Sequence, residues 1–243
     1  MNYCVNDCQE LKAALESATK LFTNKTIIIH HDNIPESPLL DVVKNSLNQL
    51  VTQATKEDTM LIYFSGHSFL DKQIQQPILC LKNTQTNNLA TTGLPLAEIL
   101  QKLTESGAKY QFIFINACHS GGTSINFQHL SESKKLSELE ISSIAPQLIE
   151  LFWQTAAKSK GFYALLFCDN YEQYRKWKDI KHGLFTYFFI QCFLGKAADD
   201  LRIIDADILY KYIFNRSWEF LDKTNRQIRL INKQKTNCGE QDI

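Results

Sequence analysis

The sequence predicts an α/β fold, with a mainly parallel sheet that is flanked by helices on both faces. Two short, continuous apolar runs, at 60–64 and 112–115, are bounded by polar and turn residues. Runs of this kind are typical of buried parallel strands. Segments with apolar residues at helical spacing alternate with them, and this alternation favours crossover connections around a parallel sheet. The 243 residues are sufficient for one such domain over 1–243, with a sizeable core.

The first half of the chain is predicted to alternate between helices and strands. In chain order we expect a helix over 7–22, a strand over 26–29, a helix opened by Pro35 and Pro38, a strand ending at His67, a strand over 77–81, a helix after Pro95 and a strand ending at Cys118. The helices follow from leucines, valines and alanines that recur every three or four residues. The strands follow from apolar runs that end in glycine or polar residues.

The second half begins with a break in this regularity. Residues 120–142 are rich in Ser, Lys and Glu and predict an exposed loop. The elements expected after it are a helix over 144–157, a strand over 162–168, a polar loop over 169–182, two amphipathic helices near 184–194 and 205–221, and a polar tail from Thr224.

The charge balance excludes several classes of function. Lys and Arg number 26, and Asp and Glu also number 26, so the chain lacks the excess positive charge of a nucleic-acid-binding protein. The apolar runs are shorter than the roughly 18 residues that a membrane span needs. The first residues lack the charged and apolar regions of a signal peptide. We therefore expect a cytoplasmic protein that binds neither nucleic acid nor membranes.

The cysteines and histidines do not predict a metal site. Seven cysteines are present, and none has the paired C-x-x-C spacing of a zinc site. His30, His31 and Asp32 adjoin one another and could hold a metal, but without a further ligand cluster a strand-end turn is the expected structure. Cys118 differs from the other cysteines because its neighbours are small, polar and glycine-rich.

His67 and Cys118 have the arrangement of a general base and a nucleophile. Each ends an apolar run, and we expect both at the carboxyl edge of the sheet, where open α/β sheets place their ligand sites. A thiol attacks as the thiolate, so a nearby histidine must take its proton. Glycines next to both residues leave room for a substrate and free backbone amides. A separation of about 50 residues also matches the caspase signature.

Three motifs resemble those of caspase-like cysteine peptidases. They are residues 63–67 (YFSGH), 117–121 (ACHSG) and 182–186 (HGLFT). The C-H-S-G form is more similar to metacaspases and their bacterial relatives, the orthocaspases, than to animal caspases, and the cyanobacterial members look most similar. The family order of elements runs from Asp7 to the last helix. The resemblance therefore implies a caspase-like fold over most of the chain.

The resemblance also implies roles for the site residues. His67 would be the general base, Cys118 the nucleophile, and the backbone N–H groups of Ser68 and Cys118 the oxyanion hole. It implies a protein or peptide substrate and no cofactor or catalytic metal. A calcium requirement, which is known among metacaspases, is not readable from these residues, and neither is an oligomeric state.

Substrate preference follows from a second set of positions. Metacaspases cut after Arg or Lys, and by resemblance the pocket for that residue involves Asp7, Ser65 and Asn116. An amide at 116, where the family has an acid, removes one charge-assisted contact to a guanidinium. Asp7 fits two roles equally well: a ligand of a basic side chain, or a helix N-cap with Glu10 completing a capping box. We expect cleavage after a basic residue.

Two departures from the family keep an alternative function open. Ser68 stands where the family usually has glycine, and the family's first apolar strand, which precedes the equivalent of Cys4–Asp7, is not present in the sequence. The alternative is a catalytically silent caspase-like module that acts in protein–protein interaction or regulation. A small-molecule binder is disfavoured, because the chain has no G-x-G-x-x-G or P-loop pattern.

Overall fold

A computed structural model of the chain describes residues 4–22, 24–35, 38–71, 73–119, 145–159, 161–167, 181–198 and 204–238. The elements are α1 (Cys4–Ala18), α2 (Leu40–Gln53), β1 (Thr59–Asp71), β2 (Gln76–Leu79), α3 (Leu89–Thr92), β3 (Leu94–Pro95), α4 (Leu96–Glu105), β4 (Tyr110–His119), α5 (Ala145–Lys158), β5 (Phe162–Phe167), α6 (Leu184–Gln191), a π-helical turn (Cys192–Lys196) and α7 (Ala206–Cys238). The loops predicted over 120–142 and 169–180 lie outside the described residues.

The five strands form one mixed sheet in the order β3-β2-β1-β4-β5. The long strands β1, β4 and β5 pair in parallel, as their apolar runs predict. The two short strands β2 and β3 pair antiparallel at the edge beyond β1. The predicted α/β class is confirmed, and the parallel part of the sheet carries both predicted catalytic residues.

Helices cover both faces of the sheet, and each face has its own apolar core. On one face α2, α4 and α5 pack around a cluster that includes Leu103, Ile113 and Ile115. On the other face α1, α6 and α7 pack around a cluster that includes Phe114 and Phe189. Consecutive residues of β4 thus enter opposite cores, as the period-two geometry of a strand requires. Within the described part of the chain, no helix has the length and apolarity needed to cross a bilayer.

Two strand predictions are wrong. Residues 25–31 contain the run predicted as a strand, but they form no ladder with any described strand. The strands were predicted to end at His67 and Cys118; β4 ends one residue later, at His119, whereas β1 continues to Asp71. The extension of β1 is stabilised by β2, which folds back along residues 68–71.

Helix α1 is displaced toward the N-terminus, α7 is longer than the sequence pattern predicts, and two short elements were missed. Helix α1 begins at Cys4, three residues before the predicted start, and α7 continues to Cys238 through the tail that was expected to be irregular. That tail contains no Gly or Pro before Gly239, and its Lys, Arg, Gln and Leu residues favour helix. Helix α3 and strand β3 were not predicted, because neither is long enough to show a period.

The start of β5 requires a residue without a side chain. The carbonyl oxygen of Gly161 accepts the backbone N–H of Gln111 at 2.8 Å, and a Cβ at 161 would overlap the carbonyl oxygen of Lys109. We expect Gly161→Ala to destabilise the protein by about 3 kcal/mol, the upper range for overpacking, since a backbone atom cannot move aside. Urea unfolding measures this change. Ser159→Ala, in the same connection, should stay within about 0.5 kcal/mol of the parent, and equal losses in the two variants would contradict the steric explanation.

Candidate active site

The pairing of β1 with β4 brings the two predicted catalytic residues together. In this parallel ladder His67 is the register partner of Cys118, and Ser68 is the partner of His119. Adjacent strands lie about 4.8 Å apart, and register partners occupy the same face of a sheet. The sequence placed these residues on one edge, and the structure places them on neighbouring strands at the same height.

The imidazole of His67 is half-buried, and one of its nitrogens lacks a partner. Within the described residues, the buried Nδ1 atom makes no hydrogen bond. Burial lowers the pKa of the His67 imidazole below its ordinary value, because a low-dielectric environment disfavours the charged form. The ring is therefore neutral at neutral pH. A neutral imidazole can accept a proton, which is the property that a general base needs.

Gly66 holds the strand close beneath an aromatic ring next to His67. A Cβ atom at position 66 would lie 2.6 Å from the ring of Phe64, so a larger residue would displace that ring. The carbonyl oxygen of His67 accepts the backbone N–H of Cys80 at 2.9 Å, on the side facing β2. The bond from Cys80 thus fixes the backbone at His67, and the absence of a side chain at 66 leaves room for the Phe64 ring.

Ser68 lies inside the sheet and not on a turn. It is buried, with a register partner on each side, Leu79 in β2 and His119 in β4. Because the backbone groups of His67 point toward β2, those of Ser68 point toward β4, by the alternation of a strand. The residue expected to contribute an oxyanion donor therefore lies within the ladder between β1 and β4.

The three residues predicted to bind the substrate side chain lie near one another, beside His67 and Cys118. Ser65 and Asn116 are register partners on β1 and β4. The hydroxyl of Ser65 donates to Oδ2 of Asp7 at 3.2 Å, which links α1 to the sheet. Asp7 is fully buried and Asn116 is 5 % exposed. The structure thus brings the set together, in a polar layer between the sheet and the helices α1 and α6.

Asp7 is not a helix N-cap. Helix α1 begins three residues earlier, and Glu10 therefore closes no capping box, which corrects that alternative. The Oδ1 atom of Asp7 accepts Nδ1–H of His182 at 2.8 Å and the backbone N–H of Gly183 at 3.3 Å. Donors from the start of α6 attract this carboxylate into the core. Burial raises the pKa of the Asp7 carboxyl, and the hydrogen bond from His182 opposes that effect.

His182 belongs to the 182–186 motif, but the sequence does not indicate its partners in this layer. Its Nδ1 atom lies 2.8 Å from Asp7, and its Nε2 atom lies 3.0 Å from Oε2 of Glu10. The hydrogen bond to Asp7 raises the pKa of the His182 imidazole above its ordinary value, against the effect of burial. With a carboxyl group at each nitrogen, the protonated ring can donate a hydrogen bond from both nitrogens. The nearest sequence signal was the 182–186 motif, which does not indicate contact with a helix 175 residues away.

Asn116 is held by a second set of hydrogen bonds. Its Nδ2 atom donates to Oγ1 of Thr186 at 3.0 Å, and the Tyr63 hydroxyl lies 2.7 Å from the same Oγ1 atom. An amide fits at position 116 because the Thr186 hydroxyl can accept a hydrogen bond from it and form a second hydrogen bond with the Tyr63 hydroxyl. The polar layer therefore joins β1, β4, α1 and α6 through two connected chains of hydrogen bonds.

The other histidine pair takes part in structural contacts. His30 Nε2 lies 2.9 Å from Oγ of Ser46, and His31 contacts the side chain of Gln9 and the backbone N–H of Asn33. Among the residues that the structure describes, no three His, Cys, Asp or Glu side chains form a group that could hold a metal ion.

The pair formed by His182 and Asp7 makes stability depend on pH. The raised pKa of His182 means that its contribution is fully present below the unfolded value of about 6.5 and is lost as pH rises through the folded pKa. We expect an NMR titration to show His182 titrating above about 6.5, and Asp7→Asn to lower that midpoint. A midpoint at or below the unfolded value would contradict the ion pair.

Unfolding measurements test how much the same pair contributes to the free energy of unfolding. His182→Ala leaves Asp7 buried without its main partner, and we expect a loss of about 3–5 kcal/mol in urea unfolding at pH 6. Glu10→Gln is the matched control, since the Glu10 carboxylate is 61 % exposed and an exposed ion pair contributes about 0–1 kcal/mol. Equal effects of the two variants would show that burial does not set the strength of this contact.

Comparison with known proteins agrees with the geometry. A sequence profile of the caspase domain matches residues 1–215, while no curated protein matches the chain significantly. The matched span includes β1 with His67, β4 with Cys118 and the start of α6 with His182. Because it covers most of the 243 residues, the chain belongs to the caspase domain family of cysteine peptidases.

Proposed function

We propose that the protein is a cysteine endopeptidase in which Cys118 is the nucleophile and His67 the general base. The observation that carries this proposal is the register of β1 against β4, which sets these two residues side by side. Two unrelated strand residues would have no reason to combine a thiol, an imidazole and adjoining glycines at one level of a sheet. Membership of the caspase domain family supports the same class of reaction.

The reaction would proceed through an acyl-enzyme. His67 takes the thiol proton, the Cys118 sulfur attacks the scissile carbonyl carbon, and a tetrahedral oxyanion forms. The intermediate collapses when His67 returns the proton to the leaving amine. Water, deprotonated by His67, then hydrolyses the thioester and regenerates the thiol. The low pKa of the His67 imidazole supports this role, because the ring is neutral before attack.

The backbone N–H groups of Cys118 and Ser68 are the proposed oxyanion donors. Preorganised backbone donors are a major source of stabilisation for such intermediates. Ser68 lies within the ladder between β1 and β4, so its donation to a substrate requires a local change of pairing beyond His67. Serine adopts left-handed backbone conformations less readily than glycine does, so such a change is harder for Ser68 than for the glycine that the family usually has there.

We propose a preference for Arg or Lys before the scissile bond, with Asp7, Ser65 and Asn116 contributing to the pocket. Two acidic residues, Asp7 and Glu10, lie against the one imidazole of His182, so acidic groups outnumber basic ones near the set. That balance favours a cationic side chain. Asp7 is already bonded to His182, so the attraction to a substrate cation acts at longer range than in a direct bidentate contact.

The second candidate function is a catalytically silent module that acts in protein–protein interaction or regulation. The position of Ser68 inside the ladder and the engagement of Asp7 with His182 favour it, because both groups are committed to the fold. The presence of both Cys118 and His67 favours the peptidase.

Hydrolysis of fluorogenic peptides ending in Arg, Lys or Asp distinguishes the two functions. We expect the Arg and Lys substrates to be cleaved, and Cys118→Ala to abolish that cleavage, since no other group replaces the sulfur. Cys192→Ala, which removes a thiol buried in the core, is the matched control and should retain activity. Assays with and without calcium determine whether the ion is required. A folded chain that cleaves none of the substrates in either condition would support the silent module.

Asn116→Asp tests the pocket. A carboxylate at 116 would supply a charge-assisted contact to a guanidinium, and we expect kcat/KM for an Arg substrate to rise about tenfold relative to its neutral citrulline isostere, equivalent to about 1.4 kcal/mol. Asn116→Ser changes the same hydrogen bond to Thr186 without adding charge, and should leave the ratio unchanged. An unchanged ratio in Asn116→Asp would place residue 116 outside the substrate pocket.

A further inference from the structure

Helix α7 presents three aromatic side chains to solvent. Tyr210, Phe214 and Trp218 are each about half exposed, whereas Leu209 and Ile213 of the same helix are buried in the core beside α6. The three aromatic residues recur every four positions, so they follow one another along one side of the helix. The rings of Tyr210 and Phe214 stack with their centroids 5.9 Å apart. We call these three residues the aromatic stripe; contiguous exposed apolar groups of this kind mark interaction sites.

The second half of the same helix is strongly basic. Residues 223–238 contain five basic residues and no acidic one. The basic residues are Lys223, Arg226, Arg229, Lys233 and Lys235. Because α7 is one helix of 33 residues, about 50 Å long, these positions continue directly from the aromatic stripe. Position 229 follows Trp218 by eleven residues, which is close to three turns, so both positions lie on the same side of the helix.

The acidic residues near the aromatic stripe are already bonded within the helix. Asp207 lies 2.7 Å from the Lys211 ammonium, and Glu219 lies 2.9 Å from the Arg216 guanidinium. Asp205 accepts a backbone N–H at the start of the helix at 2.7 Å. A second copy of α7 would therefore offer the basic half mainly acids that are already bonded. This arrangement disfavours pairing of α7 with a second copy of itself.

The combination of aromatic and basic residues fits the surface of an anionic bilayer. Tyr and Trp rings prefer the boundary between lipid and water, because each has an apolar body and a polar edge. Lys and Arg are attracted to negatively charged headgroups. Helices that lie in this boundary combine Trp or Phe on one side with Lys and Arg on the other. Since no described helix is apolar enough to cross a bilayer, α7 would lie along the surface.

We propose that α7 binds the surface of bilayers that contain anionic phospholipid, with the aromatic stripe at the level of the headgroups and residues 223–238 against their charges. This inference reverses the expectation that the chain binds no membrane. That expectation came from the total charge of 26 basic and 26 acidic residues, which conceals the local excess on α7. The matched family span ends at residue 215, before the basic half, and the inference is independent of the proposed peptidase reaction.

Cosedimentation of the full chain with vesicles tests the charge requirement. The probes are vesicles of phosphatidylcholine alone and vesicles in which about one third of the lipid is phosphatidylserine. We expect binding to the second kind only, weakening as salt is added, because salt screens the attraction. Arg226→Gln combined with Arg229→Gln should weaken binding about tenfold or more. Lys20→Gln combined with Lys56→Gln removes the same charge from exposed positions elsewhere and should leave binding unchanged.

Tryptophan fluorescence tests the position of the aromatic stripe. In the variant Trp153→Phe/Trp177→Phe, Trp218 is the remaining tryptophan. We expect the anionic vesicles to shift its emission to the blue, and lipids brominated in their acyl chains to quench it. Trp218→Ala should weaken vesicle binding about tenfold, since binding scales with the apolar area that is buried. Trp153→Ala is the matched control, because this tryptophan on α5 is 71 % exposed, and it should leave binding unchanged.

Several outcomes would overturn the proposal. They are no binding to the anionic vesicles, equal binding to both kinds of vesicle, and equal losses in Trp218→Ala and Trp153→Ala. A dimer in solution that Trp218→Ala dissociates would also overturn it, because a second copy would then cover the aromatic stripe. So would tighter binding to a single-stranded oligonucleotide that the Arg226→Gln/Arg229→Gln variant weakens, which would assign the surface to nucleic acid.

Discussion

The parallel pairing of β1 with β4 is the contact on which both the core and the candidate site depend. It joins the two apolar cores, because consecutive residues of each strand enter opposite faces. The same register sets His67 beside Cys118 and Ser65 beside Asn116. A slip of one residue would move every side chain of a strand to the other face. Burial on both faces makes such a slip costly, so the packing of the core also maintains the alignment of the site.

A buried polar layer connects this pairing to the helices. Asp7 in α1 and His182 before α6 form a contact that the sheet alone does not provide, and Ser65 extends it to β1. Groups of this kind are costly to bury unless each is paired, and here the main partners come from distant parts of the chain. The layer thus specifies how α1 and α6 dock on the sheet, next to the proposed catalytic pair. It also commits Asp7 to the fold, which limits the direct contact that this carboxylate can make with a substrate.

Strand β1 also links the proposed peptidase chemistry to the edge of the sheet. One of its edges pairs with β4 and aligns the proposed catalytic residues, whereas on its other edge β2 pairs with residues 68–71. His67 lies where the pairing with β2 begins, since its carbonyl oxygen accepts the backbone N–H of Cys80. The fold of β2 therefore constrains the backbone next to the proposed general base. Ser68 follows within the same strand, so any change in its pairing also affects the position of His67.

The sequence by itself determined the α/β class and the long parallel strands, and it predicted the proposed catalytic pair, because apolar runs and their polar ends are local patterns. It also indicated that Asp7, Ser65 and Asn116 belong together, through the family resemblance. Only the tertiary structure decided that β1 continues past His67, that 25–31 forms no strand and that Asp7 bonds His182. Each of these depends on how separate segments pair: β2 folds back on the end of β1, no described strand pairs with 25–31, and the start of α6 lies 175 residues from Asp7 in the chain. Pairing energy of this kind is absent from any local pattern, since it exists only when the two segments meet.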